Sequence, residues 1–360
     1  MIDVAGAGMA GLVAAARARE LGQDVVVREK GSRIGGSMLL SSCVIWRHRD
    51  WDDFRRECPH GDERLQRLVW ERLDEALEWL EVLGARAVWE ETGNPLTAGK
   101  RFDPRGLTEV LANHVSRIEL NAEGCGDGAT ILCTGGFAAS PELVTRYIAP
   151  AAPLRLRASP WSQGDGLRHA LDRGAALTAG MEEFYGRNMP DAPWDESGLV
   201  SLSQLYGRFA RIFDENGIEF FSRGDVSWSE TNVVQATAHR HGAKAYYLLD
   251  EEALAERVSD RTVAELAAAA PPEARIAPGD LPFDPPAGCV AAVRVTASIT
   301  HTLGGVRVDE RARVLRDDGS PVERLWAAGV DAGGVATGGY ASGLAQALVL
   351  GLAAAEDVAR

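Results

Sequence analysis

The sequence has few cysteines, and they follow no metal-binding or disulfide pattern. Five occur among 360 residues, and none belongs to a Cys-x-x-Cys pair. They are Cys43, Cys58, Cys125, Cys133 and Cys289. An odd, scattered set argues against a disulfide-stapled scaffold and a zinc ribbon, and is typical of a reducing compartment. We therefore expect a cytoplasmic protein without a metal site.

Long apolar runs and an excess of basic residues are also missing. No uninterrupted apolar stretch approaches the ~18 residues that a membrane-spanning helix needs. The net charge of −14 disfavours nucleic acid and anionic membranes as partners, because both require a basic face. A secretory signal is not expected either, because the first predicted strand begins at Ile2.

Glycine is plentiful near the N-terminus, where it forms a strand–turn–helix pattern. The predicted turn and helix start comprise Gly6, Gly8, Met9, Ala10 and Gly11. In a GxGxxG turn, the first glycine allows the tight bend, the second lets the backbone approach a pyrophosphate, and the third lets the helix pack on the sheet. The pyrophosphate then lies at the helix N-terminus. This pattern predicts a dinucleotide site.

An acidic residue and a second glycine turn follow at the expected spacing. Glu29 ends the second predicted strand, 18 residues after Gly11. A carboxylate there can accept hydrogen bonds from both hydroxyls of an adenosine ribose, which favours a dinucleotide without a 2′-phosphate. Further candidates for cofactor binding are Lys30, Gly35, Gly36 and Ser37.

Later segments predict more helices and strands around the same site. Apolar periodicity predicts helices over 62–83, 106–114, 253–270 and 344–358. Small-residue turns after predicted strands add candidate cofactor contacts at Thr134, Gly135, Gly136, Gly329, Asp331, Ser342, Gly343 and Leu344. The sequence pattern changes between residues 140 and 294, which indicates an inserted domain. We predict an α/β fold with a Rossmann-like domain over 1–139 and 295–360, and an α+β capping domain over 140–294.

Together these blocks resemble the flavoproteins of the fumarate reductase and succinate dehydrogenase superfamily, which includes 3-ketosteroid and tricarballylate dehydrogenases. The resemblance rests on residues 4–37, 134–137, 164–166, 184–190, 301–306 and 325–351. It implies non-covalent FAD held by the residues named above, with Asp331 on a ribityl hydroxyl. It also implies hydride and proton transfer at a carbon–carbon bond next to a carbonyl.

Two departures bear on the substrate. Fumarate reductases carry a proton-donating arginine at a position that falls near Ser227 when their preceding motif is aligned on residues 220–223. They also carry a carboxylate-clamping arginine where Gly338 or Gly339 stands. Without these arginines, a small dicarboxylate would lose its charge-assisted contacts. We therefore expect a different organic substrate.

Four residues are candidates for catalysis. The resemblance implies that His301 polarises a substrate carbonyl and that Tyr340 serves as the acid or base, although Tyr340 could equally be a packing residue over the flavin. Tyr185 and Arg223 are weaker candidates, because such residues are more often interface or solvated groups. Tyrosine, with an ordinary pKa of about 10, needs nearby donors to act as a base.

The sequence thus predicts an FAD-dependent oxidoreductase acting on CH–CH groups, by desaturation or by C=C reduction of a small organic substrate. Its electron partner would be a redox protein or oxygen. Two alternatives stay open on the same scaffold, a flavin-dependent oxidase and a redox-neutral isomerase. A third is a flavin-binding scaffold that has lost its activity.

Overall fold

A computed structural model describes residues 1–126, 128–258 and 260–360. The strands are β1 (Ile2–Ala5), β2 (Val25–Glu29), β3 (Val44–His48), β4 (Ala87–Trp89), β5 (Thr97–Phe102), β6 (Ile118–Leu120), β7 (Ala129–Leu132), β8 (Arg155–Leu156), β9 (Phe184–Pro190), β10 (Arg211–Phe213), β11 (Glu219–Phe221), β12 (Lys244–Leu249), β13 (Arg257–Val258), β14 (Arg261–Thr262), β15 (Arg275–Ile276), β16 (Ala291–Thr302), β17 (Arg313–Leu315) and β18 (Pro321–Ala327). The helices are α1 (Met9–Glu20), α2 (Trp51–Glu57), α3 (Glu63–Val82), α4 (Pro104–Asn113), α5 (Pro141–Leu143), α6 (Asp165–Asp172), α7 (Gly198–Ser201), α8 (Thr231–Ala238), α9 (Glu251–Ala255), α10 (Val263–Ala268) and α11 (Gly343–Val358).

The chain divides into two units. The first contains Met1–Leu143, Ala158–Glu183 and His301–Arg360, and the second contains Val144–Arg157 and Phe184–Thr300. The sequence pattern predicts a capping domain over 140–294, whereas the structure groups 140–143 and 158–183 with the first unit and 295–300 with the second. Backbone contacts explain the difference, since the Gly164 amide donates to the Gly136 carbonyl at 2.9 Å.

A parallel sheet organises the first unit. Its strand order is β17-β18-β7-β1-β2-β6, and every neighbouring pair is parallel except β17 with β18. From β1, the sheet extends to β2 and β6 on one side and to β7, β18 and β17 on the other. In doubly wound sheets, ligands bind where the strand order reverses, beyond the carboxyl ends of the strands. Here that place lies beyond the ends of β1 and β7.

Two helices rich in small residues lie beside this sheet. Nine residues of α1 are buried, and most of α11 is buried as well. A Cβ on Gly351 of α11 would lie 2.9 Å from the Ala10 carbonyl oxygen of α1, so the two helices pack at close range. A separate antiparallel sheet, β3-β5-β4, completes the first unit's strands. The predicted helix over 62–83 is confirmed as α3, whose N-cap is Asp62.

The second unit is built on β16. This strand pairs with β12, β15, β8 and β9, and β12 continues the sheet to β10 and β11. Tyr206 and Tyr247 are fully buried in its core. The prediction of one helix over 253–270 is wrong. The helix α9 ends at Ala255, a short ladder of β13 and β14 follows, and Thr262 then caps α10 by a reciprocal capping box with Glu265.

Among the described residues, no helix combines the length and the apolar character that crossing a membrane requires. In the same part of the chain, no group of three or more histidine, cysteine or acidic side chains is arranged to hold a metal ion.

Candidate cofactor and active site

The three glycines of the first turn differ in what surrounds them. A Cβ on Gly11 would lie 1.9 Å from the Gly6 carbonyl oxygen, and one on Gly6 would lie 2.2 Å from the Cys133 carbonyl oxygen. Gly6 also has a φ of 105°, in the left-handed region. A Cβ on Gly8 would meet nothing within 4 Å. Gly6 and Gly11 are therefore required by the fold, whereas the space above Gly8 is open to a ligand.

The helix that follows this turn has an uncapped N-terminus. No side chain caps α1 at Gly8, and its first turn carries no acidic residue. Met9 and Ala10 are buried in this turn. Unsatisfied amides at a helix N-terminus carry partial positive charge and bind phosphate groups. The turn therefore suits a pyrophosphate.

Glu29 is buried at the end of β2. Its carboxylate accepts hydrogen bonds from the amides of Ala7 and Gly31, each at 2.7 Å. A carboxylate offers about four lone-pair sites, so two remain for ribose hydroxyls. Glu29 thus ties the glycine turn to the end of β2 and keeps acceptor capacity for a ligand.

The second glycine turn packs on the first. The Gly35 amide donates to the Ala7 carbonyl at 2.8 Å, and a Cβ on Gly36 would lie 3.2 Å from the Gly8 Cα. Ser37 accepts a hydrogen bond from the Ser159 amide at 2.9 Å. The two turns together form one small-residue surface.

The end of β7 is joined to the C-terminal part of the chain through Asp331. The Asp331 carboxylate accepts hydrogen bonds from the Thr134 hydroxyl at 2.9 Å and the Gly136 amide at 3.1 Å, and also from the Thr134 amide. Burial raises the pKa of Asp331, and these donors oppose the shift. A Cβ on Gly329 would lie 3.0 Å from the Ala10 Cβ. Predicted cofactor contacts from distant segments therefore meet here.

His301 lies at the start of α11. A Cβ on Gly343 would lie 3.2 Å from the His301 Cε1 atom, and the Ser342 hydroxyl caps the helix by accepting from the Ala345 amide at 3.3 Å. Leu344 follows in the first turn and is half-buried. Burial lowers the pKa of His301 to about 4. The imidazole is therefore neutral at physiological pH and can donate one hydrogen bond without carrying charge.

The bend that carries Tyr340 is fixed by residues of β3, by Cys58 directly after α2, and by Glu183. The Tyr340 ring contacts the Trp46 ring, with centroids 5.4 Å apart, and its backbone is hydrogen-bonded to the His48 ring and the Cys58 thiol. Glu183 accepts a hydrogen bond from the Gly338 amide at 2.6 Å. Burial raises the pKa of Glu183, and that amide opposes the shift.

The same bend has no room for a side chain at Gly339. A Cβ there would lie 1.8 Å from the Glu57 carbonyl oxygen, and one on Gly338 would lie 3.0 Å from both Pro59 and His60. The missing arginine therefore has a steric reason in this chain.

These observations fit an extended dinucleotide. The open space at Gly8, the uncapped α1 and the spare acceptors of Glu29 suit its pyrophosphate and ribose. Thr302 adds a buried hydroxyl with no hydrogen-bond partner among the residues that the structure describes, and a Cβ on Gly136 would lie 2.8 Å from it. Such a group is satisfied when a ligand supplies the partner.

Comparison with known proteins agrees with this geometry. The family described as FAD binding domain matches residues 3–123 and 123–344. The chain belongs to the FAD binding domain family. Its cofactor is FAD, the fold is the predicted one, and the protein is an FAD-dependent oxidoreductase. The predicted resemblance is confirmed. Non-covalent attachment stays a prediction.

One curated protein is similar to this chain in sequence, and two solved structures are similar to it in fold. A probable fumarate reductase of Shewanella frigidimarina (strain NCIMB 400) is 23% identical over 99% of this chain and 74% of its own length. A 3-ketosteroid-Δ4-(5α)-dehydrogenase from Rhodococcus jostii RHA1, solved with 4-androstene-3,17-dione, has a TM-score of 0.68 at 18% identity, over 100% of this chain and 96% of its own. A 3-ketosteroid Δ1-dehydrogenase from Sterolibacterium denitrificans has a TM-score of 0.71 at 16% identity, over 99% of each chain.

The remaining catalytic candidates lie in the second unit. The Arg223 guanidinium forms ion pairs with Asp250 and with Glu252, the latter at 3.2 Å, and donates to the Phe209 carbonyl at 3.0 Å. The Tyr185 ring lies 4.9 Å from the Arg187 guanidinium. Arg223 is thus engaged by acidic partners, and a catalytic role for either residue stays a prediction.

Trp46, His48 and Glu183 at the Tyr340 bend belong to no motif from which the sequence predicts a role. An aromatic and a histidine after the second glycine turn could have suggested a packing partner for a flavin-side bend. The Glu183–Gly338 bond joins positions 155 residues apart, and no local pattern announces it.

Proposed function

We propose that this FAD-dependent oxidoreductase transfers hydride at a carbon–carbon bond next to the carbonyl of a small organic substrate that is not a dicarboxylate. The observation that carries the proposal is that the His301 ring lies against Gly343 in the first turn of α11, three residues after Tyr340. Burial of this ring lowers its pKa, which keeps it neutral. The names of the fumarate reductase and ketosteroid dehydrogenase relatives support chemistry at such a bond.

Each residue then has a defined task. FAD supplies the hydride-accepting or hydride-donating chemistry. His301 donates a hydrogen bond to the substrate carbonyl, and Tyr340 gives or takes the proton. A neutral imidazole suits this task, because it polarises the carbonyl without first losing or gaining a proton. The α11 N-terminus would stabilise negative charge that develops on the bound flavin.

The crowding at Gly339 argues against a dicarboxylate. A side chain that reaches a carboxylate from this position would have to displace the Glu57 carbonyl. The half-buried Tyr340 ring, which packs on the buried Trp46 ring, offers an aromatic face at the bend instead. A ketone or an enone with an apolar body fits such a surface better than two carboxylates do.

A panel of carbonyl compounds tests the proposal. The FAD-loaded protein is mixed without oxygen with saturated ketones, and the dithionite-reduced protein with the matching enones, while the flavin absorbance is followed. We expect bleaching with a ketone or recolouring with an enone. Turnover of a compound without a change in flavin absorbance would indicate an isomerase. Rapid reoxidation of the bleached protein by oxygen would indicate an oxidase. No change with any compound of the panel would indicate an inactive scaffold. Reoxidation only by an added redox protein would identify the electron partner's class.

A further inference from the structure

The segment from Ala158 to Asp165 runs across the loops that follow β2 and β7. The Ser159 amide donates to the Ser37 hydroxyl at 2.9 Å, and the Ala139 amide donates to the Ser162 carbonyl at 2.9 Å. Both contacts join it to loops at the carboxyl edge of the parallel sheet. The segment thus belongs to the cofactor side of the first unit.

Trp161 lies directly on the backbone of Gly31. A Cβ on Gly31 would lie 2.5 to 2.8 Å from three atoms of the indole ring, so only glycine leaves room for the ring there. Gly31 donates its amide to Glu29, the carboxylate with spare acceptors for the ribose. The Arg33 guanidinium lies 5.9 Å from the same ring. The half-buried Trp161 ring therefore covers Gly31, which lies two positions after Glu29, the predicted ribose-binding residue.

An ion pair fastens the segment beside this ring. The Lys30 ammonium donates to the Asp165 carboxylate at 2.9 Å and to the Gln163 side-chain oxygen at 3.0 Å. Lys30 directly follows Glu29, and Asp165 begins α6. These bonds join the end of β2 to the residues that follow Trp161 in the segment.

We propose that Trp161 forms the adenine-facing wall of the FAD site and that the Lys30–Asp165 pair is a latch that slows FAD release. Adenine presents a flat aromatic face, and bases stack readily on aromatic side chains. The ring stands beside the residue that would hold the ribose attached to that base. The inference depends on FAD as the cofactor and is independent of the substrate and of the reaction.

Binding measurements on the folded apoprotein test the wall. We expect Trp161→Ala to raise the dissociation constants of FAD and of ADP by roughly tenfold or more, with Trp161→Phe in between, and to leave riboflavin binding unchanged. ADP has the adenosine and the diphosphate of FAD but lacks the ribityl chain and the flavin ring. A parallel loss of ADP and FAD affinity, with riboflavin binding unchanged, therefore locates the effect in the ADP half. Trp89→Ala, at an exposed tryptophan, is the matched control. Unchanged FAD and ADP binding in folded Trp161→Ala would overturn the wall.

The latch is tested separately by release kinetics. Asp165→Asn removes the charge and keeps the shape, so it should speed FAD release several-fold, and high salt should speed release of the wild type while affecting the variant less. Glu142→Gln, which removes the acidic partner of Arg168 in α6, is the control. Equal release rates for Asp165→Asn and wild type at low salt would remove the latch. If Trp161→Ala does not fold, Trp161→Phe and Asp165→Asn still decide both claims.

Discussion

At the scale of single residues, burial sets the chemistry of His301. Its imidazole packs against the first residue of α11, and burial lowers its pKa to about 4. A neutral histidine can polarise a carbonyl over the whole physiological range. A histidine with an ordinary pKa of about 6.5 would change charge within that range and alter its role.

The shift has a consequence for stability that can be measured. Because the folded pKa lies below the ordinary value of 6.5, the unfolded chain binds more protons between these values. The stability that His301 contributes is therefore present above about pH 6.5 and is lost as the pH falls towards about 4. As the pH falls over this range, we expect the unfolding free energy of the wild type to decrease relative to that of His301→Gln. Denaturant titrations at several pH values measure both free energies. If the pKa of His301 were ordinary, the two free energies would change with pH in parallel.

Gly339 shows why one position of the bend must stay without a side chain. Gly339→Ala places its Cβ against the Glu57 carbonyl, with 1.8 Å between the atoms before any relaxation. Overpacking of this kind costs roughly 1–3 kcal/mol. Thermal unfolding should show this loss, whereas Gly279→Ala, whose Cβ meets nothing within 4 Å, should change little. Equal melting temperatures for the two variants would contradict the crowding.

At the scale of elements, different glycines of the β1–α1 turn serve the packing of the fold and the binding of the ligand. Gly11 and Gly6 are closed in by backbone atoms, whereas Gly8 faces open space. The sequence pattern assigns all three to one motif, and only the packing distinguishes them. Gly8 is thus the position at which a change should affect the ligand and leave the apoprotein stable.

Two alanine variants test this separation. Gly8→Ala should leave the unfolding free energy of the apoprotein within about 0.5 kcal/mol and raise the FAD dissociation constant by roughly tenfold or more. Gly11→Ala should destabilise the apoprotein by about 1–3 kcal/mol, because its Cβ meets the Gly6 carbonyl. Chemical denaturation and FAD titration measure the two effects. FAD binding that is unaffected by Gly8→Ala would show that the backbone does not approach the cofactor there.

Elements with local signals were predictable from the sequence, and contacts between distant segments were not. The Gly6–Gly11 spacing, Glu29, and the helices α3 and α11 follow from local patterns and are found. The helix over 253–270 fails because the Thr262–Glu265 capping box starts a new helix inside an alanine-rich run. Trp161 on Gly31 and Glu183 on Gly338 depend on tertiary packing alone.

At the scale of the whole molecule, the predicted cofactor contacts gather in one unit. Every one of them, from Gly6 to Leu344, lies within Met1–Leu143 or His301–Arg360. The second unit has its own sheet and its own buried core. FAD binding should therefore stabilise the two units unequally.

Hydrogen exchange can show this inequality. At an FAD concentration of about 100 times the dissociation constant, binding adds roughly 2.7 kcal/mol to the stability of the state that binds it. We expect new protection in α1, β2 and the first turn of α11, and little in the β10–β12 strands. Equal new protection of β12 would mean that the cofactor acts on both units.

The most direct test of the proposed reaction is the rate of anaerobic flavin bleaching by a saturated ketone that the panel identifies, in wild type and in Tyr340→Phe. The variant keeps the ring contact with Trp46 and loses only the hydroxyl, and Tyr246→Phe in the second unit is the control. If Tyr340 takes the substrate proton, the rate should fall by roughly 10²-fold or more with the ketone affinity preserved. An unchanged bleaching rate in Tyr340→Phe would contradict that role, and a flavin that no ketone bleaches and no enone recolours would contradict hydride transfer at a carbon–carbon bond.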